Sequence, residues 1–343
     1  MRVWFNRTYA TTAHLVGQLR ANPDDRAIHV ISTHVDPDSP VLAVSDQSAI
    51  EPLIGADEYV EWALGFAAEH QVDVLVPRHH MAELADARPR FAAVGTALAC
   101  PGADTIRLFE DKAAAYVAAR ELDLRVPPHL VVTDADGLRA AYAEFAELGG
   151  RVCMKPVTGV GGEGYRRLTH LPAAAAEYTG EVRSTVRVDA VAEAWERDGG
   201  PPSPVLVMPF LDGAEVSVDV LATAEGEVLA AIGRRHDESR SRQIVDDPMA
   251  RSMAETLTNE HHIGYLSNTQ VRYWQGPDDD CPEPYLLEVN TRAAGGLFQT
   301  ELAGVNLPWA ALQVAMGETA PPITPRFGAT YVPIASMVRI RGG

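Results

Sequence analysis

Short apolar runs alternate with longer segments of helical periodicity along the first hundred residues. Strand-like runs occur at Arg2–Phe5, Ala27–Thr33, Val41–Ser45 and Val72–Pro77. Helical periodicity lies between and after them, at Thr12–Ala21, at Tyr59–His70 and from about Met81. Strands and helices in alternation predict a small open parallel sheet.

Beyond this region the pattern changes to a mixture of helices and antiparallel strands. Helical stretches are predicted at 104–122, 134–148 and 173–197, with strands at 129–132 and on both sides of a glycine-rich loop at 155–164. After the Gly/Pro-rich segment at 199–204, strands are predicted at 205–211, 215–222, 228–232, 267–274 and 285–290, with a polar loop at 234–247. The fold class is therefore α/β with an α+β remainder. We expect three domains: 1–108, 109–204 and 205–343.

Charge and composition exclude several classes of function. The 343 residues carry 29 Lys and Arg against 47 Asp and Glu, a net charge of −18, which argues against nucleic acid or an anionic membrane as a partner. No apolar run has the length needed to span a bilayer, so a cytoplasmic protein is expected. Three scattered cysteines predict neither a disulfide framework nor a zinc site. A homodimer is expected from base rates.

The segment KPVTGVGGEG, residues 155–164, contains glycines at the spacing of a dinucleotide fingerprint. A dinucleotide site needs a helix after the loop, whereas Tyr165-Arg166-Arg167-Leu168 predicts a strand. Strand, glycine loop and strand together predict a hairpin whose backbone N–H groups can cover phosphates, with Lys155 adding a positive charge. A flexible surface hairpin without a ligand remains the alternative. The glycines that form the predicted lid are Gly159, Gly161, Gly162 and Gly164.

The segment YLLEVNTRAAGG, residues 285–296, predicts a metal site at the end of a strand. Glu288 and Asn290 are two residues apart and therefore share one strand face. Carboxylate and amide oxygens are ligands that Mg²⁺ accepts, with waters and substrate phosphates completing the shell. Gln270 would lie opposite Glu288 if the two strands pair, and could be a further ligand. The alternatives are a strand that ends in a polar turn at Glu288 and Asn290, and a glutamine that is only a polar residue on a solvent-exposed strand face.

The segment VLVMPFLDGAEVSVDVL, residues 205–221, predicts a connection that suits an adenine ring. Met208, Pro209, Phe210 and Leu211 form an apolar stretch before the Asp212-Gly213 turn. Glu215 follows that turn and could accept hydrogen bonds from ribose hydroxyls. A half-buried hairpin strand is the alternative.

These motifs, together with Asp111-Lys112 and ELAGVNLP, resemble in order and spacing those of the ATP-grasp superfamily over residues 70–317. The ATP site is most similar to that of carbamoyl-phosphate synthetase large-chain halves. The resemblance implies two lobes that close on ATP, preceded by the parallel-sheet domain. It assigns Lys112 and Lys155 to the phosphates, Gln270, Glu288 and Asn290 to Mg²⁺ or Mn²⁺, Arg292 to a phosphate clamp, and Arg234 to the transferred phosphate.

The implied chemistry is activation of a small-molecule carboxylate as an acyl phosphate, which an amine then captures as an amide with release of ADP and phosphate. Two alternatives stay open: a phosphotransferase that uses no amine, and a nucleotide-binding module that has lost catalysis. Gln270 stands where many members of the superfamily carry a carboxylate. One negative charge fewer would weaken a second Mg²⁺.

Overall fold

A computed structural model describes residues 1–148, 150–159, 162–172, 184–236, 241–277, 279–334 and 337–340. In these ranges the strands are β1 (Arg2–Asn6), β2 (His29–His34), β3 (Gln47–Ile50), β4 (Val74–Val76), β5 (Ala97–Leu98), β6 (Leu130–Val132), β7 (Val152–Pro156), β8 (Arg166–Thr169), β9 (Thr185–Arg187), β10 (Val205–Pro209), β11 (Glu215–Ala222), β12 (Val228–His236), β13 (Arg242–Val245), β14 (Tyr265–Trp274), β15 (Glu283–Asn290) and β16 (Thr330–Tyr331). The helices are α1 (Thr12–Arg20), α2 (Pro40–Val44), α3 (Ala56–Glu69), α4 (Met81–Asp86), α5 (Arg88–Ala93), α6 (Ala103–Glu110), α7 (Lys112–Glu121), α8 (Ala135–Ala146), α9 (Val188–Asp198), α10 (Pro248–Glu260) and α11 (Leu307–Ala315), and a 3-10 helix spans Leu297–Ala303.

The described residues divide into two compact units. Unit 1 consists of Met1–Phe109, Glu215–Gln270 and Val289–Gly343, and unit 2 consists of Glu110–Ala214 and Val271–Glu288. Two of the boundaries between the units therefore fall inside strands, one in β14 after Gln270 and one in β15 after Glu288. This grouping differs from the three predicted domains, although the end of the first predicted domain lies one residue from a unit boundary. The three-domain division stays a prediction.

The amino-terminal part of unit 1 is a parallel sheet with strand order β3-β2-β1-β4-β5. Its central strands are buried on both faces, as parallel sheets with helices on each side require. Trp4 packs on the side of α3 and α4, whereas Val3 and Phe5 pack on the side of α1 and α11. The predicted open parallel sheet is confirmed.

One predicted strand in this sheet is wrong. Residues 41–45 were expected to be extended, but residues 41–44 belong to helix α2, and the edge strand β3 follows at Gln47–Ile50. Pro40 is the first residue of α2, a position where the missing N–H costs nothing and the fixed φ suits a helix. The apolar run Val41-Leu42 is too short for its periodicity to separate strand from helix.

A six-stranded sheet with order β15-β14-β11-β12-β13-β16 contains the strands expected after residue 214. The polar loop predicted at 234–247 is partly wrong, because β12 continues to His236 and β13 forms at Arg242–Val245. These two strands pair antiparallel, with Arg234 opposite Ile244. Ile244 is fully buried and anchors β13, but a single buried residue among polar neighbours gives too weak an alternation to detect.

The sheet of unit 2 has strand order β6-β10-β7-β8-β9. Strands β7 and β8 pair antiparallel, which confirms the predicted glycine hairpin. Strand β9, parallel to β8, was not predicted, and helix α9 begins only at Val188. The helix expected at 173–197 falls partly on residues 173–183, which lie outside the described residues.

The helix expected at 104–122 is interrupted. The structure has α6 and α7 on either side of Asp111, whose side chain accepts from the backbone N–H groups of Ala113 and Ala114. An aspartate in this capping role starts a new helix at Lys112. None of the described helices combines the length and the apolar character needed to cross a membrane.

Candidate active site

The glycine hairpin of unit 2 has the backbone geometry that its sequence predicts. Gly159, Gly162 and Gly164 have φ angles of 117°, 74° and 72°. Residues with side chains rarely adopt such angles, and consecutive N–H groups in such turns can point at an anion. A Cβ on Gly164 would lie 2.6 Å from Cγ of Pro156, so the loop also packs closely on its first strand. Gly161 lies outside the described residues.

Lys155 stands at the end of β7, just before this loop. Its Nζ donates to the carbonyl of Leu287 at 2.8 Å and to the hydroxyl of Tyr116 at 3.0 Å. Burial lowers the pKa of Lys155, and the negative charge of Glu288 opposes that effect. Within the described ranges no acidic side chain forms a salt bridge with Lys155. An ammonium group has three N–H donors, so one remains available for a ligand.

Lys112 lies at the other side of the loop. It is the first residue of α7, and its Nζ donates to the carbonyl of Gly159 at 2.8 Å. The backbone N–H of Lys112 donates to Val157, two residues after Lys155. Unit 2 therefore brings both predicted phosphate ligands to the base of the glycine loop.

The predicted adenine segment is buried in the same unit. Met208, Pro209, Phe210 and Leu211 all have little exposed surface, and three of them share a cluster with Cys153. β6 pairs with β10 only as far as Val207, whereas β7 continues alongside to Pro209. The β6 side of β10 therefore lacks a strand partner at Met208, where backbone groups could contact a base edge.

Three arginines surround Phe210, and sequence reasoning missed them. The guanidinium carbons of Arg151 and Arg167 lie 4.4 Å from the Phe210 ring centroid, and that of Arg272 lies at 5.2 Å. They come from β8, β14 and the residue before β7, so only the sheet pairing brings them together. Positive charge is favourable over an aromatic face and adds to the cationic character of this region.

The predicted metal ligands lie on neighbouring strands. Strand β15 carries Glu288, in unit 2, and Asn290, in unit 1, and its neighbour β14 carries Gln270, in unit 1. The side-chain Nε2 of Gln270 donates to Oδ1 of Asn268 at 3.3 Å. This hydrogen bond uses the amide nitrogen of Gln270, whereas a metal ion would bind the amide oxygen. The position of Gln270 opposite Glu288 stays a prediction.

The donor set of this predicted metal site has a single carboxylate. Among the residues that the structure describes, no three His, Cys, Asp or Glu side chains form a metal-binding group. One carboxylate with two amide oxygens suits Mg²⁺ or Mn²⁺ only when substrate phosphates and waters supply the remaining ligands.

Arg234 has a different environment from Lys155. It is 5% exposed, and its Nε and Nη2 donate to the carboxylate of Asp219 at 2.5 and 3.2 Å. Burial disfavours the charge, but Asp219 more than offsets it, so the pKa of Arg234 is raised. Gly296 leaves space for the guanidinium, because a Cβ there would collide with it. The phosphate role of Arg234 stays a prediction.

Arg292 and Glu215 both lie in unit 1. Glu215 is the first residue of β11 and lies opposite His236 of β12, and its ribose role stays a prediction. Nη2 of Arg292 donates to the hydroxyl of Tyr9 at 3.2 Å. Arg292 also lines a cavity of about 60 Å³, to which sequence reasoning assigned no role.

Two residues of this cavity were missed by sequence reasoning. The guanidinium carbon of Arg78 lies 3.1 Å from the ring centroid of Tyr9. Burial, together with the charge of Arg292, lowers the pKa of Arg78 to about 8. Tyr9 and Arg78 could have been predicted as site residues from their positions, because each follows the carboxyl end of a parallel strand, where ligands bind.

Comparison with known proteins supports the family suggested by the motifs. Residues 202–337 match the family described as "ATP-grasp in the biosynthetic pathway with Ter operon". The carbamoyl phosphate synthase large chain of Xylella fastidiosa is 30% identical over 294 residues, covering 80% of this chain and 25% of that protein. The chain therefore spans about a quarter of the length of this relative.

Two solved structures have the same fold. The biotin carboxylase domain of 2-oxoglutarate carboxylase from Hydrogenobacter thermophilus, in complex with MgADP, ADP and bicarbonate, matches with a TM-score of 0.64 at 16% identity, over 96% of this chain and 73% of that one. The chain has the ATP-grasp fold. The ADP complex of N5-carboxyaminoimidazole ribonucleotide synthetase also matches with a TM-score of 0.64, at 14% identity, over 94% of this chain and 80% of that one.

The ATP-grasp resemblance and fold class predicted from the sequence are thus confirmed. The site residues that the ATP-grasp motifs suggested fall into two sets. Unit 2 holds the two lysines, the described lid glycines, the adenine segment and Glu288, whereas unit 1 holds Glu215, Arg234, Gln270, Asn290 and Arg292. The roles of all these residues stay predictions.

Proposed function

We propose that this ATP-grasp chain is an ATP-dependent ligase that activates a small-molecule carboxylate as an acyl phosphate and transfers the acyl group to an amine. ADP and phosphate are the other products. The observation that carries the proposal is the pair of lysines in unit 2. Lys155 contacts the residue before Glu288, and Lys112 contacts the first lid glycine, so two cations converge on a loop suited to phosphate groups.

The two lysines would neutralise phosphate charge. In phosphoryl transfer the protein contributes positioning and charge stabilisation rather than covalent chemistry. Because burial lowers the pKa of Lys155, a negatively charged ligand would stabilise its charged form, and within the described residues no carboxylate forms a salt bridge that would compete with that ligand. The lid would exclude water and so protect an acyl phosphate from hydrolysis.

Glu288, Asn290 and Gln270 would hold Mg²⁺ or Mn²⁺. When bound, the ion would supply charge neutralisation at the phosphate oxygens. Relatives with this fold include a MgADP complex, which supports the choice of nucleotide and metal.

The two buried cysteines of the chain are poor nucleophiles at neutral pH. Burial raises the pKa of Cys153, beside the site, to about 11, and burial likewise raises that of Cys100 to about 11. Both thiols therefore stay protonated, and the reactive thiolate is absent. Direct transfer between bound substrates needs no protein nucleophile.

ADP release tests this function. Purified protein with ATP and Mg²⁺ is assayed against a panel of carboxylates crossed with a panel of amines. A ligase turns over slowly with the acid alone and faster when an amine is added. Turnover that ignores the amine would identify a phosphotransferase instead, and tight ATP binding without any turnover would identify a nucleotide-binding module.

We also propose a homodimer. The solved biotin carboxylase domain is described as a dimer, and symmetric dimers are the commonest oligomers. Light scattering on the purified chain tests it, and a monomer mass at micromolar concentration would contradict it.

A further inference from the structure

Tyr116 lies in the interior of unit 2, one helical turn after Lys112. The two residues are four positions apart on α7 and therefore lie on the same side of that helix. The side chain of Tyr116 is fully buried, and the ring of His129 packs against it with 4.9 Å between the ring centroids. A phenylalanine would fill nearly the same space without burying a hydroxyl. What distinguishes this tyrosine is therefore the set of hydrogen bonds that its hydroxyl makes.

The Tyr116 hydroxyl belongs to a closed triangle of hydrogen bonds. Nζ of Lys155 donates to this hydroxyl at 3.0 Å and to the carbonyl of Leu287 at 2.8 Å. The hydroxyl in turn donates to the same carbonyl at 2.9 Å. The carbonyl of Leu287 has two lone pairs and accepts twice, and the hydroxyl proton goes to Leu287, which leaves a lone pair for Lys155. The ammonium is therefore held at two points.

Two held points determine the direction of the remaining N–H of Lys155. An ammonium group rotates freely about its Cε–Nζ bond unless its hydrogens have fixed acceptors, and a lysine side chain has many rotamers in water. The hydroxyl of Tyr116 and the carbonyl of Leu287 stop this rotation and hold the side chain in one conformation. A ligand then loses less of its binding free energy in ordering the lysine.

The amino-acid usage of the chain agrees with a specific need for ammonium at this place. Lysine occurs twice in the 343 residues, at Lys112 and Lys155, and arginine supplies the other 27 of the 29 basic residues. A guanidinium is planar and donates in fixed directions, whereas an ammonium is a compact group with three donors. Two acceptors from the protein and one from a ligand match the donors of an ammonium.

We propose that Tyr116 is a positioning residue for nucleotide binding: its hydroxyl, together with the carbonyl of Leu287, orients the Lys155 ammonium so that the remaining N–H is directed at a phosphate group. The inference rests on the proposed function, which assigns Lys155 to the nucleotide phosphates. Tyr116 is fully buried and acts through Lys155. Because Leu287 directly precedes Glu288, the triangle also ties the lysine to the strand that carries a predicted metal ligand.

A double-mutant cycle tests this role. Calorimetric titrations in the presence of Mg²⁺ compare the wild type, Tyr116→Phe, Lys155→Met and the double variant, with ADP and adenosine as separate probes. Tyr116→Phe should weaken ADP binding about threefold to tenfold, because the ligand must now order the ammonium, and should leave adenosine binding unchanged. In the Lys155→Met background, where no ammonium is left to orient, the same substitution should change ADP affinity by less than about twofold.

A structural role of Tyr116 predicts a different result. An equal effect of Tyr116→Phe in the two backgrounds, or an equal loss for ADP and adenosine, would overturn the proposal. Tyr142→Phe is the matched control, because Tyr142 lies in the same unit on α8 and its hydroxyl forms an exposed hydrogen bond with Nδ1 of His170 at 3.0 Å. This control should bind ADP as the wild type does, and a loss equal to that of Tyr116→Phe would also overturn the proposal.

NMR of the lysine side chains decides the question if Tyr116→Phe does not fold. Because the chain contains two lysines, ¹⁵N-lysine labelling gives two side-chain signals, and Lys155→Met identifies the signal of Lys155. In the wild type without ADP, a held ammonium should have an order parameter above about 0.6. A lower value would show that the side chain is not positioned before the nucleotide binds, and would overturn the proposal.

The positioning role and the proposed function can be distinguished when they fail. Unchanged ADP affinity in Lys155→Met would contradict the phosphate role of Lys155, and the proposal for Tyr116 would fail with it. Weakened ADP binding in Lys155→Met, with wild-type affinity in Tyr116→Phe, would contradict the positioning role alone and leave the proposed function standing.

Discussion

Lys155 in unit 2 is half-buried and Arg234 in unit 1 is buried, and the two cations have opposite kinds of hydrogen-bond partner. Arg234 has a carboxylate, Asp219, at hydrogen-bond distance, and its pKa is raised. Lys155 has only neutral acceptors, and burial lowers its pKa. A cation that stabilises a fold is neutralised inside the fold, whereas a cation kept for a ligand is not. If the proposed function holds, this difference separates a charge that serves the fold from one that serves the ligand.

The largest expected effect comes from removing Glu288, the carboxylate whose negative charge acts on Lys155. Glu288→Ala should lower ADP release at least a thousandfold, because a metal ligand and the negative charge near Lys155 are lost together. Its thermal unfolding midpoint should change little. Glu283→Ala, on the same strand β15, is the matched control and should retain activity. Near-normal turnover by Glu288→Ala would remove the metal assignment.

Removal of the partner of Arg234 should act on stability instead. Asp219→Ala leaves a buried guanidinium without its carboxylate, and should lower the free energy of unfolding by about 3–5 kcal/mol. Urea denaturation measures it. Glu61→Ala breaks the exposed pair with Arg90 and should cost less than about 1 kcal/mol. Equal losses in the two variants would contradict the structural role of the buried pair.

Two glycines sharpen the same contrast. Gly164→Ala places a methyl group against Pro156 at a φ of 72°, a strain of about 1–3 kcal/mol that falls on the lid. We expect a raised KM for ATP with a modest loss of stability. Gly296→Ala collides with the Arg234 guanidinium and should affect mainly the unfolding midpoint. An unchanged KM for ATP in Gly164→Ala, together with a raised KM in Gly296→Ala, would contradict the roles assigned to the two regions.

The smallest expected effect concerns His79, beside the unit 1 cavity. Burial, then the charges of Arg7 and His80, lower its pKa from 6.5 to about 4. Between pH 6.5 and 4 the unfolded chain binds the proton more readily than the folded one, so stability falls as the pH falls through this window. His79→Gln should lessen that fall in the unfolding midpoint between pH 7 and pH 4. An identical slope in wild type and variant would contradict the lowered pKa of the half-buried His79.

The glycine hairpin and the adenine segment could be predicted because their signals are local. Gly159 and Gly164 mark a turn that needs positive φ, and the apolar run around Phe210 lies between clear turn residues. The arrangement of Lys155 beside Glu288 depends on strands far apart in the chain. The resemblance to ATP-grasp sequences supplied that link, and the contact with Leu287 agrees with it.

The rest depends on register and packing that no local pattern contains. Asp219 could be assigned to Arg234 only once β11 and β12 were paired, since Asp219 lies opposite Ile232. Tyr9 and Arg78 lie 69 positions apart and meet only because β1 and β4 are neighbours. A tyrosine or an arginine in a loop does not by itself predict a site. Only the strand order shows that Tyr9 and Arg78 lie next to each other.

The central claim is that Lys155 keeps its charge for the phosphates of a nucleotide. Calorimetric titration of Lys155→Met and wild type with ADP and, separately, with adenosine in the presence of Mg²⁺ tests it most directly. We expect ADP binding to weaken at least tenfold in the variant while adenosine binding is unchanged. Equal ADP affinity in the two proteins, or an equal loss for ADP and adenosine, would contradict the account.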